Sequence, residues 1–140
     1  MLNETKFNFN SAICTSREQS ERLIALGLKK ETADMVLVPS SRHDGSDVIR
    51  VRKSYLMEED AIPAWSLHRL IEMMPNEIHK YDGWASLSVN KDYVQYEYYD
   101  IDYNHGICLE HFNDGGIYDN ICDAYEWIIN EGYFNKEYLN

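Results

Sequence analysis

The stretch that most constrains the fold is WASLSVNKDYVQYEYYDIDYNHGICLEHF, Trp84 to Phe112. It holds three strand-like runs, WASLSV, YVQYEYY and GICLEHF, rich in aromatic and β-branched residues. Only NKD and DIDYNH join them. A parallel pair needs a crossover of about a dozen residues or more, whereas a hairpin needs only a few. These connections are too short for crossovers, so the runs form an antiparallel meander.

Helical patterns stand on either side. In TSREQSERLIALGL, Thr15 with Glu18 three residues on reads as a capping box, the hydroxyl and the carboxylate each taking an orphan backbone N–H. Leu23, Ile24 and Leu26 give the apolar face, and Gly27 suits a left-handed stop, so a helix is expected over Ser16–Leu26. Thr32 is placed to cap one further short turn. MVLVP reads as a short strand ended by Pro39, and SSRHDGSD as a polar loop. VIRVRKSYL alternates, with Ile49, Val51 and Tyr55 on one side and Arg50 and Arg52 on the other. Pairing of those arginines with Glu97 within one sheet is expected.

AIPAWSLHRLIEMMP reads as a helix with Pro63 at its first position and Pro75 at its end. Leu67, Leu70, Ile71 and Met74 fall on one stripe, with Trp65, His68 and Glu72 on an adjoining face. In YDNICDAYEWIINEGYF, Asp119 or Asn120 is the expected cap. Ile121, Ala124, Tyr125 and Ile128 form the stripe, and Gly132 closes the helix. The order predicts a single α+β domain over residues 1–140, a mainly antiparallel sheet covered on one face by amphipathic helices. At 140 residues the chain is long enough to bury a core without covalent staples.

Charge separates along the chain. Of the net −11, residues 1–56 carry 9 Lys/Arg and 7 Asp/Glu, a net of +2, and residues 57–140 carry 4 and 17, a net of −13. A polyanion is repelled by such a surface, so nucleic acid is excluded as an ordinary partner. Cys14, Cys108 and Cys122 are odd in number and lack paired spacing, which points to a reducing compartment. The first residues, MLNETKFNFNSAIC, have neither a basic region nor an apolar core of a signal peptide. No apolar run approaches the ~20 residues of a membrane span. A cytoplasmic location, with no membrane partner, is expected.

The blocks TSREQSERLIALGLKKETADM and IPAWSLHRLIEMMP, with the last helix, resemble a group of small proteins from gut bacteria and their phages or mobile elements. The matching positions are Thr15, Glu18, Gln19, Ser20, Leu23, Leu26, Gly27, Leu28, Thr32–Met35, Ile62–Leu67 and Leu70. The resemblance implies a mobile-element accessory protein. It implies no reaction, cofactor or ligand.

Two sets of residues carry candidate chemistry. The first is YDIDYNHGICLEH, where Asp100, Asp102 and Asn104 alternate like ligands of a calcium loop. Counted from Asp100, position 6 is His105 instead of glycine and position 12 is His111 instead of glutamate, so the loop fails where it must turn and close. A transition metal finds Asp100, Asp102, His105 and His111, but no second ligand pair. Cys108 and His111 fall on opposite faces of a regular strand, which breaks their chelate. Cys108 is then a small buried residue and His111 a sheet-surface one, although a histidine that lowered the thiol's pKa would make Cys108 a nucleophile. NDGGIYD reads as a strand-to-helix turn, because Asp114 and Asp119 repel an anion.

The second set is the tyrosines. Of 11, five lie in YVQYEYYDIDY. Tyr96, Glu97, Tyr98, Tyr99, Asp100 and Tyr103 make an acidic, aromatic surface of the kind protein interfaces favour. The first expectation is a non-catalytic accessory protein that binds a protein partner or a second copy, including the special case of a nucleic-acid mimic. The alternatives are a metal-dependent enzyme or metal-binding protein centred on residues 100–111, and a plain structural or oligomerising domain. No cofactor motif is present.

Overall fold

The computed structural model describes residues 12–39, 47–51, 61–80, 83–99 and 106–140. The class is α+β, with two antiparallel sheets in a single domain. The chain runs α1 (Arg17–Ala25), a 3-10 turn (Lys30–Thr32), β1 (Met35–Pro39), β2 (Asp47–Val51), β3 (Ile62–Ala64) and α2 (Leu67–Met73). It continues through β4 (Glu77–Lys80), β5 (Gly83–Val89), β6 (Val94–Tyr99), β7 (Gly106–Phe112), α3 (Ile117–Asn130) and a 3-10 turn (Lys136–Tyr138). One sheet has the order β2-β1-β3 and the other β4-β5-β6-β7. The meander expected from the short loops is the second of these, extended by β4.

The first helix shows how local signals shift by a residue. Ser16, not Thr15, is the cap. Its hydroxyl accepts from the Gln19 N–H, and the Gln19 side chain accepts from the Ser16 N–H. A capping box is present, therefore, but with Gln19 as its partner. Thr15 is buried instead, its hydroxyl 2.7 Å from Ser20 Oγ and accepting from the Trp65 N–H at 3.1 Å. Gly27 follows the helix at φ 101°, the left-handed region that favours glycine. Thr32 caps nothing; it ends the 3-10 turn, donates to the Lys29 carbonyl and accepts from Trp65 Nε1.

The second helix is shorter than its pattern. Ile62–Ala64 is a strand, and Pro63 lies in it opposite Val36 rather than opening a helix. β3 is an edge strand, where the missing proline N–H is tolerated. Ser66 caps α2 by accepting from the Arg69 N–H, and Asp34 accepts from both the Ser66 N–H and its hydroxyl. Trp65 therefore belongs to no exposed helix face: it is fully buried. His68 and Glu72, placed with it on the face adjoining the stripe, are exposed.

The last helix starts earlier than expected, with Gly116 at its cap. Asp119 and Asn120 are not the cap. Asn120 is buried, accepts from the Gly115 N–H, and donates to the Gly115 carbonyl at 2.9 Å. Its side chain thus holds the Gly115–Gly116 turn that NDGGIYD encodes. Ile121, Ala124, Tyr125 and Ile128 are all 0% exposed. Gly132 follows at φ 79°.

α3 packs on β6 and β7, and α1 packs on α3 and β3. The main core joins Leu23 of α1, Leu70 of α2, Ile78, Ala85, Val94 and Tyr96 of the four-stranded sheet, and the α3 stripe. A smaller cluster, Cys14, Leu37 and Ala64, lies at the three-stranded sheet. Buried hydroxyls are satisfied by backbone: Tyr125 donates to Leu70 O at 2.6 Å and Tyr96 to Pro75 O at 2.7 Å. Arg22 ties α1 to α3 through Asp123 and Glu126.

Candidate binding face

Strand alternation decides which side chains of the four-stranded sheet meet the helices. Ile78, Ala85, Val94 and Tyr96 are buried, and Leu87, Val89 and Tyr98 pack against the same core. Their neighbours in the register face the other way. Glu77 stands opposite Ser86, His79 opposite Trp84, Ser86 opposite Glu97 and Ser88 opposite Gln95. The outer face is thus built by Glu77, His79, Trp84, Gln95 and Glu97, with β7 beside them.

Tyr96 does not belong to this face. Burial removes it entirely from solvent and pushes its hydroxyl far above the usual tyrosine range. Its ring lies 5.9 Å from that of Trp127 on α3. Tyr98 has the same parity and lies half-buried against the core. Glu97 alone of the expected surface residues has a described side chain on the outer side. Tyr99 occupies the register position opposite Trp84 and Gly106. Asp100, Asp102, Tyr103, Asn104 and His105 lie outside the described residues.

β7 breaks the alternation. Its register with β6 shifts between Tyr96 and Glu97: Tyr96 pairs with Glu110, and Glu97 with Cys108. Leu109 is the extra residue of this bulge, and it packs against the core. A regular strand puts Cys108 and His111 on opposite faces, but the bulge brings both to the outer one. Both are exposed, and both contact Gln95 Oε1, His111 through Nδ1 at 2.9 Å and Cys108 through Sγ at 4.0 Å. The Tyr93 ring lies 5.0 Å from the His111 ring. Cys108 is therefore not the small buried residue the strand pattern implies.

The surroundings of this pair disfavour the thiolate. Partial burial, then the charges of Glu110 and Glu97, raise the Cys108 thiol above its ordinary pKa. A reactive thiolate needs the opposite shift. His111 is occupied by the Gln95 carbonyl oxygen. Among the described residues no three of His, Cys, Asp and Glu are placed to hold a metal ion. Arg50 offers Glu97 no ladder neighbour either, because β2 and β6 belong to different sheets.

The residues missed in the strand pattern are Glu77, His79, Trp84, Gln95 and Tyr93. EIHK alternates with the right parity, but so short a run within the seven residues between Pro75 and Gly83 is easily absorbed into a loop. Gln95 lacked any chemical signal, although it is the hub of the β6–β7 contacts.

The blocks TSREQSERLIALGLKKETADM and IPAWSLHRLIEMMP have a structural meaning. Thr15, Ser20, Thr32, Asp34, Trp65 and Ser66 are linked by hydrogen bonds that clasp the start of α1, the 3-10 turn and the entry to α2. Comparison of the chain with protein-family models, curated proteins and solved structures finds no match. No helix among the described residues is long and apolar enough to cross a membrane.

Proposed function

We propose that this protein is a non-catalytic binding module of the phage or mobile-element accessory type. It engages a basic protein partner through the outer face of the four-stranded sheet. The observation that carries this reading is the sidedness of that sheet. Its inner face meets the core, while Glu77, Glu97, Trp84, Gln95 and His111 lie on the other side. The net −13 of residues 57–140 favours a cationic surface over a nucleic acid. An aromatic residue among carboxylates and hydroxyls is a composition that interfaces use. The free state of all three cysteines supports a cytoplasmic setting.

The test joins capture with mapping. The purified protein is expected to retain a stoichiometric basic partner from the host lysate, with hydrogen exchange slowed along β5–β7. Charge reversal at Glu77 and Glu97 should abolish capture without lowering Tm. Absence of a stoichiometric partner, or protection elsewhere on the fold, overturns the proposal. Competition between DNA and the protein for that partner would identify the special case of a nucleic-acid mimic.

A further inference from the structure

The end of α2 and the C-terminal segment line an open cleft of about 290 Å³. Its lining includes Glu72, Met74, Tyr133, Phe134 and Tyr138. Phe134 is 4% exposed, whereas Tyr133 and Tyr138 are half-buried flanks. The Phe134 and Tyr138 rings meet at 61° with centroids 5.9 Å apart, an edge-to-face corner. Tyr133 is fixed by a ring contact with Trp127, 5.6 Å between centroids. The rings are therefore held by the core and need little ordering when a ligand arrives.

We propose that this cleft binds a quaternary or methylated ammonium group. Aromatic rings attract a cation through the negative faces of their π-systems, and the attraction is greatest when the cation sheds its water readily. A methylated ammonium does so, and its methyl groups would lie against the Tyr133 and Tyr138 rings that line the cleft. Glu72 supplies a carboxylate at the rim. It is 55% exposed and is engaged by Arg69 Nη1 at 3.3 Å, a long contact. Arg69 is not part of the cleft wall, and its Nε is tied to the Thr32 carbonyl at 2.8 Å. Lys136 and Glu137, both exposed beside Tyr138, are opposite in sign. The site stands apart from the outer sheet face, so either assignment can fail alone.

The probe is choline, against its uncharged isostere in which carbon replaces the nitrogen. Amide resonances of Glu72 and residues 133–138 should shift saturably with choline and stay in place with the isostere. Tyr138→Leu should weaken choline about two- to tenfold. Glu72→Gln should weaken it while leaving the folded spectrum intact, which keeps the test valid if the tyrosine variant unfolds. No saturable shift, or equal shifts from the isostere, overturns the proposal.

Discussion

At the scale of single residues, the decisive groups are buried hydroxyls whose partners lie far along the chain. Thr15 answers both the Trp65 N–H and Ser20 Oγ. Thr15→Val keeps the shape but leaves a buried donor without an acceptor, which costs about 1–3 kcal/mol. Urea unfolding should show this loss, with Thr15→Ser sparing most of it. The buried thiols contribute to the alkaline limb of stability, together with the buried tyrosines. Burial first, then the charge of Asp34, pushes Cys14 up to about 11, and burial pushes Cys122 up to about 12. Unfolded thiols lose their protons near pH 9, so above that pH the folded state binds more protons than the unfolded one. Stability is therefore full below about pH 9 and declines toward pH 11, by about 1.4 kcal/mol per pH unit for each thiol. Calorimetry from pH 8 to 11 should show Tm falling, and Cys122→Ala should flatten the slope.

At the scale of elements, short-range periodicity was readable and boundaries were not. The α3 stripe was legible because four apolar residues at helical spacing have one way to be buried together. Ile128→Ala should cost about 2–5 kcal/mol, measured by urea unfolding, since the side chain is fully enclosed. Ser16→Ala should cost about 1 kcal/mol through lost capping, a smaller change than the Thr15 variant when the latter is fully unsatisfied. The capping box was recognised one residue early because Thr15 and Ser16 are both competent caps. Ser16 takes the role because the Thr15 hydroxyl is engaged by the Trp65 N–H. Pro63 was misplaced for a related reason. A proline before a hydrophobic stripe fits a first helical turn, yet pairing with Val36 drew it into an edge strand.

At the scale of the whole molecule, the two sheets and three helices sort the charges as well as the core. The acidic half contributes the four-stranded sheet and α3, and the sheet face turned away from the core carries Glu77 and Glu97. Charge reversal of Glu77 and Glu97 should change stability by less than about 0.5 kcal/mol, because neither side chain is in the core. The same variant should remove partner capture, and chemical unfolding run in parallel separates the two effects. Much of the candidate face was out of reach of sequence reasoning. The expected surface set held both Tyr96 and Glu97, neighbours that strand alternation puts on opposite faces, and Tyr96 is the one turned into the core. The choice of inner face depends on which parity α3 covers, and a strand with tyrosines on both sides does not reveal that.

The sequence by itself determined the antiparallel meander, the α3 stripe, the glycine stops at Gly27 and Gly132, and the acidity of the second half. These follow from spacing, connection length and charge, which need no distant partner. Only the tertiary structure decided that Thr15 is buried, that Pro63 joins a strand, and that Tyr96 belongs to the core. It also decided that Cys108 and His111 share a face, through a bulge at Leu109 that shifts pairing with β6. Each of those outcomes depends on a hydrogen bond or packing partner brought from elsewhere in the chain. Local pattern does not encode such a partner's position.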